Sequence, residues 1–187
     1  MNPSTQPIRT EVDPDRTVSG LLQAPAGARA AYVLAHGAGA GMDHAFMAQA
    51  AQGLAERGLA TLRYQFPYME RGSKRTDPPA VAHAAVRAAV ARAAQEFAGL
   101  RLFAGGKSFG GRMTSQAQAA APLPGVEGLV FLGFPLHPDG APSSTRAEHL
   151  REVRIPMLFL QGTRDKLADI DRMRALSAEQ GERSTLM

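Results

Sequence analysis

The chain has 187 residues, 44% of them hydrophobic and 20% charged, so we expect one globular domain with a single sizeable core. It contains no cysteine, which excludes disulfides, thiolate metal sites and a cysteine nucleophile, and fits a reducing, cytoplasmic environment. The net charge of +4 comes from basic residues scattered along the chain, so we expect no nucleic-acid binding. No apolar run is long enough for a membrane span, and the first residues lack the apolar segment of a signal peptide.

Strands and helices alternate along the chain after a polar lead-in at residues 1–16, and residues 17–187 are predicted to form one domain. Strands are predicted at 17–23, 30–35, 59–64, 100–104, 126–134 and 155–161, and helices at 43–57 with Asp43 as N-cap, 80–97, 109–121 and 169–180. The strands are nearly continuous apolar runs, which indicates burial on both faces. This pattern predicts an α/β domain whose parallel sheet is covered by helices, with chemistry at the carboxyl ends of the strands.

One motif, Gly106-Lys107-Ser108-Phe109-Gly110, has the form G-x-S-x-G and stands between a predicted strand and a predicted helix. In that context the motif is typical of a nucleophile elbow, a tight turn that strains the serine backbone. Glycines two residues to either side allow the strand and the helix to approach closely. The motif therefore predicts Ser108 as a nucleophile. Lys107 is not expected to act on it, because neighbours in a tight elbow point apart.

Two sets of backbone N–H groups are candidates for an oxyanion hole. One is the N–H of Phe109, at the start of the helix after the elbow, where the helix dipole also favours negative charge. The second is expected in the glycine-rich loop after residue 35, at Ala38 or Gly37. An ordinary strand-to-helix turn is the alternative interpretation of this loop. We interpret His36 as a residue that shapes the loop rather than as a catalytic base.

Asp165 is the candidate acid, because it follows an apolar strand and comes after the serine in the chain, as in the order Ser, Asp, His. An exposed loop aspartate or a helix cap is the alternative. The expected histidine is absent, since all five histidines precede Asp165. His137 follows a strand and is the one candidate substitute base, although its flanking prolines and its place in the chain order argue against it. The other histidines are interpreted as incidental: His44, His83 and His149.

Five ordered blocks resemble the alpha/beta-hydrolase superfamily. They are Leu34 to Ala40, Arg63 to Glu70, Gly105 to Arg112, Gly133 to Pro138 and Leu160 to Asp165. More narrowly, the chain resembles the small dienelactone-hydrolase-like branch, which includes the hydrolase-like domain of testis-expressed and chromatin-complex subunit proteins. The resemblance spans roughly residues 15–187 and implies a three-layer α/β/α sandwich with a mostly parallel sheet, Ser108 as nucleophile and Asp165 as acid. Members of the family continue with a strand and a histidine-bearing loop, so the resemblance implies a C-terminally truncated chain whose last strand is missing.

The leading functional prediction is a cofactor-free and metal-free serine hydrolase. It would act on an ester, thioester or lactone of a small-molecule acyl substrate through an acyl-enzyme at Ser108, with Phe109 and Ala38 holding the oxyanion. His36, Gly37 and His137 are candidates for the site lining. Without a histidine base, the chain is predicted to be impaired. The sequence indicates neither the substrate's identity nor the oligomeric state.

Two alternatives belong to other functional classes. The first is a non-catalytic protein-interaction module built on a hydrolase fold, since fold does not determine function. The second is a nucleotide-binding P-loop, because Gly106-Lys107-Ser108 matches the end of that motif. The P-loop is disfavoured because Arg101 stands where its first glycine is required.

Overall fold

The computed structural model describes residues 4–138, 140–141 and 143–187. The strands are β1 (Thr5–Asp13), β2 (Arg16–Gln23), β3 (Ala30–Ala35), β4 (Leu59–Tyr64), β5 (Arg101–Lys107), β6 (Val126–Leu132), β7 (Met157–Leu160) and β8 (Ser184–Leu186). The α-helices are α1 (Ala45–Ala55), α2 (Pro67–Glu70), α3 (Pro79–Glu96), α4 (Phe109–Ala120) and α5 (Ile170–Gln180), and two 3₁₀ helices span Thr145–Glu152 and Gly181–Arg183.

The strands form one sheet in the order β1-β2-β4-β3-β5-β6-β7-β8. The pairs β1–β2 and β2–β4 are antiparallel, and every pair from β4–β3 to β7–β8 is parallel. The carboxyl ends of β3, β5, β6 and β7 therefore lie along one edge of the sheet. The segments that follow these strands carry the residues predicted to be functional.

Helices cover both faces of the sheet. Successive side chains of a strand point to opposite faces, so one strand contributes to the core on each side. Tyr32 and Leu34 of β3 pack with Met47 of α1, whereas Ala31 and Val33 join the larger core to which α3, α4 and α5 contribute. The predicted three-layer α/β/α sandwich is confirmed. No helix in the described part of the chain combines the length and the apolar character needed to cross a bilayer.

Two predictions about the ends of the domain were wrong. Residues 1–16 are not merely a lead-in, because β1 pairs along its length with β2 and buries Ile8 and Thr10 while Arg9 is exposed. This one-sided burial is typical of an antiparallel edge strand. The last strand is not missing either: residues 184–186 form β8, paired in parallel with β7.

Other differences concern short elements. The N-cap of α1 is His44, whose Nδ1 accepts a hydrogen bond from the N–H of Phe46, and not Asp43. The single turn α2 and the 3₁₀ helix at 145–152 were not predicted, because α2 is too short to show a helical period and the 3₁₀ helix has only two buried apolar residues. The 3₁₀ helix packs against α4 and buries only Ala147 and Leu150.

Candidate active site

Ser108 occupies the turn between β5 and α4, with backbone angles of φ 48° and ψ −113°. It is the single non-glycine residue with positive φ among the described residues. The flanking elements approach so closely that a Cβ on Gly106 would lie 2.1 Å from the carbonyl oxygen of Ala35, and one on Gly110 would lie 2.5 Å from that of His36. This is the tight strand-to-helix turn that G-x-S-x-G predicts, and only glycine fits on either side of it.

Two backbone segments with candidate N–H donors lie beside Ser108. Phe109 is the first residue of α4, so its N–H has no partner within the helix. The loop after β3 passes beside the serine, since a Cβ on Gly37 would lie 3.9 Å from the Cβ of Ser108, and the next residue, Ala38, is exposed. Donors that converge on one point beside a nucleophile are what an oxyanion hole requires.

His36 is buried, and the backbone engages both nitrogens of its ring. Its Nε2 accepts a hydrogen bond of 3.0 Å from the N–H of Phe66, and its Nδ1 lies 2.8 Å from the carbonyl oxygen of Gly37. Nδ1 therefore carries the proton, and burial lowers the pKa of His36 so that the ring stays neutral. With no free nitrogen, His36 joins the segment before α2 to the loop beside Ser108, as expected of a loop-shaping residue.

An aromatic wall adjoins the elbow, formed by Phe66, Tyr68 and Phe109. The ring centroids of Phe66 and Phe109 are 5.2 Å apart and those of Tyr68 and Phe109 are 6.2 Å apart. Asp77 anchors the wall, because its buried carboxylate accepts a 2.7 Å hydrogen bond from the N–H of Tyr68 and another of 2.7 Å from Arg71. All three residues are buried, so the wall packs the segment around α2 against the first residue of α4, next to Ser108.

Asp165 lies half-buried after β7. Its Oδ1 accepts a 2.9 Å hydrogen bond from the N–H of Leu167, and its Oδ2 accepts one of 2.9 Å from Nε2 of Gln161. The Oε1 of Gln161 in turn accepts a 2.7 Å hydrogen bond from the N–H of Phe134. Gln161 is thus a buried bridge that orients the carboxylate. Sequence reasoning missed it, although a polar residue at the end of an apolar strand was a usable signal.

The carboxylate and the serine stand at the same edge of the sheet, separated by β6. Ser108 follows β5 and Asp165 follows β7, which corresponds to about 10 Å between strand axes. A Cβ on Gly133, after β6, would lie 3.4 Å from Oδ2 of Asp165. This spacing leaves room for a base between the nucleophile and the acid.

None of the five histidines, all within the described residues, hydrogen-bonds to Ser108 or Asp165. His83 contacts Gln116, and His149 contacts Ser115. His137 is bonded to the segment that carries the acid: its backbone N–H donates to the carbonyl of Leu167, two residues after Asp165, over 3.2 Å. Its Nδ1 lies 2.8 Å from the carbonyl oxygen of Pro138, and its buried Nε2 has no partner.

The surroundings of Ser108 support neither Lys107 as its base nor a nucleotide-binding P-loop. The Nζ of Lys107 lies 4.8 Å from the ring centroid of Phe46 on α1, turned away from the serine. The residues from Arg101 to Lys107 are strand β5, so no phosphate-cradling loop precedes the serine.

Comparisons with known proteins agree with this fold. A family model described as "Alpha/beta hydrolase domain" matches residues 28–187. No curated protein sequence matches the chain. The predicted likeness to testis-expressed and chromatin-complex proteins therefore stays a prediction.

Among solved structures, a dienelactone hydrolase from Anabaena variabilis is 22% identical, with a TM-score of 0.74 over 100% of this chain and 83% of its own. An α/β serine hydrolase without lid from Xanthomonas campestris is 19% identical, with a TM-score of 0.77 over 98% of this chain and 83% of its own. The Pyrococcus furiosus esterase is 12% identical, with a TM-score of 0.76 over 99% and 82%. These likenesses establish the fold, and because the family model covers most of the sequence, the chain belongs to the alpha/beta hydrolase domain family.

Proposed function

We propose that the chain is a serine hydrolase that acts on an ester, thioester or lactone carbonyl through an acyl-enzyme at Ser108. The observation that carries the proposal is the backbone of Ser108, which is held at positive φ in a turn where neighbouring glycines have no room for a Cβ. Strain of this kind persists only where the surrounding structure enforces it, and it is concentrated at functional sites.

The reaction follows from the groups around the serine. The Oγ of Ser108 attacks the substrate carbonyl carbon and gives up its proton to a base, while the N–H groups of Phe109 and Ala38 stabilise the oxyanion. Collapse of this intermediate breaks the bond to the leaving alcohol or thiol, or opens the lactone ring. Water then attacks the acyl-serine, which releases the acid and restores the hydroxyl. Asp165, held by Gln161, would orient a base standing between the two.

Slow turnover of the 187-residue chain is part of the proposal. The histidines in this chain are engaged elsewhere or are not hydrogen-bonded to the nucleophile and the acid. A serine hydrolase that lacks one triad member keeps only the catalysis due to its oxyanion hole and binding, roughly 10³- to 10⁴-fold over water. We therefore expect an activated ester to acylate Ser108, followed by slow deacylation that added imidazole accelerates.

Covalent labelling tests the nucleophile directly. A fluorophosphonate probe should add one equivalent to the wild-type chain, detected by intact mass, and none to Ser108→Ala. The matched control is Ser115→Ala, because Ser115 is a buried serine on α4 whose Oγ lies 2.7 Å from Nε2 of His149, the one serine–histidine hydrogen bond among the described residues. Labelling should persist in that control. If labelling were lost in Ser115→Ala but kept in Ser108→Ala, the nucleophile would be Ser115 and the proposal would be wrong.

The same experiment separates the enzyme from a non-catalytic module. A folded wild-type chain that reacts with no fluorophosphonate or activated ester would favour the interaction module. Rapid multiple turnover that survives His137→Ala and needs no imidazole would contradict the proposed slow turnover, while leaving the nucleophile in place.

A further inference from the structure

The loop between β3 and α1 carries the candidate oxyanion donor Ala38. This residue is exposed, and its N–H has no hydrogen-bond partner among the described residues. An oxyanion donor is effective only if it is in place before the reaction, because moving it during the reaction costs part of the gain. The contacts that fix this loop therefore bear on catalysis.

Two side chains from the end of β4 hold the loop at Met42. The Oε1 of Gln65 accepts a 2.9 Å hydrogen bond from the N–H of Met42, and Nη1 of Arg63 donates one of 3.1 Å to the carbonyl oxygen of Met42. Gly41 packs against Gln65 so closely that a Cβ there would lie 2.8 Å from Oε1. Both backbone groups of one loop residue are thus bound by side chains.

Arg63 is a buried arginine whose described contact is with the loop rather than with an acid. None of the ion pairs among the described residues includes it, and its Nε has no hydrogen-bond partner. Burial lowers the pKa of Arg63, and the exposed carboxylate of Asp43, the residue after Met42, opposes that shift. A charged donor makes a stronger hydrogen bond to a carbonyl than a neutral donor does, so the contact with Met42 is a firm one.

The other end of the loop is attached to the same segment. The Nε2 of His36 accepts a 3.0 Å hydrogen bond from the N–H of Phe66, the residue after Gln65. The end of β4 therefore binds the loop on both sides of Ala38, at position 36 and at position 42. A short segment that is fixed at both ends has few accessible conformations, so these contacts restrict where the N–H of Ala38 can point.

We propose that Gln65 and Arg63 are positioning residues, which hold the N–H of Ala38 in place for the oxyanion through their contacts with Met42. The assignment rests on the proposed function, since it requires a reaction at Ser108. Loss of either contact should slow the step in which the oxyanion forms and leave binding of the reactant nearly unchanged. A purely structural role would lower stability without that kinetic signature.

The test separates binding from reaction in the fluorophosphonate labelling of Ser108. The phosphoryl oxygen gains negative charge as Oγ attacks the phosphorus, so the oxyanion donors act on the maximum rate constant. Gln65→Met keeps the length of the side chain without its acceptor. It should lower the maximum rate constant about tenfold or more and change the half-saturating probe concentration by less than about twofold. Arg63→Met should act in the same direction.

Two further variants show whether the hydrogen bond is responsible. Gln65→Glu keeps an acceptor for the N–H of Met42 and should retain most of the rate. The matched control is Gln118→Met, because Gln118 is buried on α4 and its Oε1 accepts a 2.8 Å hydrogen bond from the N–H of Leu123, at the opposite end of that helix from Ser108. This control loses the same kind of bond and should keep the wild-type rate, while urea denaturation measures the stability of each variant.

Amide hydrogen exchange, followed by NMR, gives a readout that needs no catalysis. The N–H of Met42 should exchange faster in Gln65→Met than in Gln118→Met, because only the first variant removes its hydrogen-bond partner.

The outcomes separate the two proposals. A Gln65→Met chain that reacts at the wild-type maximum rate overturns the positioning role and leaves Ser108 as the nucleophile. A Gln118→Met or Gln65→Glu chain that slows as much as Gln65→Met overturns it as well. A wild-type chain that is not labelled contradicts the proposed function. The exchange of the Met42 N–H then tests the anchoring alone, and equal exchange in Gln65→Met and Gln118→Met overturns it.

Discussion

The two sides of the candidate site are held in place by different forces. On the nucleophile side, added Cβ atoms on Gly105, Gly106, Gly110 and Gly111 would each come within 2.7 Å of another heavy atom, usually a backbone oxygen. On the acid side, Gly162 has open space around it, and Asp165 is oriented by hydrogen bonds from Gln161 and the N–H of Leu167. Steric packing of the backbone positions the serine, whereas a few polar contacts position the acid.

This difference has consequences for how each side tolerates change. Backbone contacts in a close-packed interior cannot relax, so the elbow should respond to substitution almost in an all-or-none way. Hydrogen bonds to a charged group such as this half-buried carboxylate each contribute about 1.5 to 3 kcal/mol, so the acid side should respond gradually.

The largest effect is expected for Gly106→Ala. The new Cβ would lie 2.1 Å from the carbonyl oxygen of Ala35, at a φ of +142° that alanine rarely adopts, so β5 and β3 would have to separate. We expect a loss of about 4 kcal/mol or more in the free energy of unfolding, measured by urea denaturation, or a loss of soluble protein. The control Gly162→Ala meets no atom within 4 Å and should stay within about 0.5 kcal/mol of wild type. Similar denaturation midpoints for the two variants would contradict the contrast.

The nucleophile side was also the more predictable from sequence. The run at 30–35 is apolar throughout because β3 is buried between two parallel neighbours, and the predicted bounds of β3 and of β4 match the structure. The elbow was predictable because only glycine satisfies the close contacts on either side of Ser108. Where steric exclusion selects the residue type, the sequence carries a specific signal.

The remaining elements depend on contacts that leave weak signals. One face of strand β1 is exposed to solvent, so Ile8 and Thr10 are buried between exposed residues and the sequence of the segment is mostly polar. The 3₁₀ helix at 145–152 buries only Ala147 and Leu150, and its hydrogen bond from His149 to Ser115 leaves no pattern in the sequence. Gln161 acts through partners in the segments after β6 and β7, which no local pattern reveals. Whether Asp165 acts as the acid stays a prediction.

The second effect concerns the acid side, with Gln161→Ala as the change. It would leave the buried N–H of Phe134 unpaired and remove one of the two donors to Asp165. We expect a loss of about 1 to 3 kcal/mol in urea denaturation, the cost of an unsatisfied buried polar group. Gln49→Ala, on the exposed surface of α1, is the control and should be close to neutral. A loss as large as that of Gly106→Ala would show that the acid side is as rigidly determined as the elbow.

The third effect is a pH dependence at the junction of the two sides. His149 contacts Ser115 on α4 and faces Phe134 after β6, and burial, with nearby Arg112 and His83, lowers its pKa to about 4. The unfolded chain, with a histidine pKa of about 6.5, binds a proton that the folded chain does not. His149 therefore contributes stability above that value, and this contribution is lost as the pH falls toward about 4.

Because His149 is only partly buried, we expect a stability loss of about 1 to 2 kcal/mol between about pH 7.5 and about pH 4.5. Urea denaturation at the two pH values measures it. His149→Gln keeps a hydrogen-bonding group opposite Ser115 and should reduce the pH dependence. Equal pH dependence in wild type and His149→Gln would assign the effect to other groups.

The smallest effect is a gain in stability from Ser108→Gly. The serine backbone at φ 48° and ψ −113° is a conformation that glycine adopts without steric cost, whereas any side chain is strained there. We expect Ser108→Gly to raise the free energy of unfolding by about 1 kcal/mol relative to Ser108→Ala, which keeps the Cβ and its strain. Both variants should lose fluorophosphonate labelling, so they should differ in their free energy of unfolding but not in their reactivity. A glycine variant no more stable than the alanine variant would mean that the turn is relaxed, and the strain that supports Ser108 as nucleophile would then be absent.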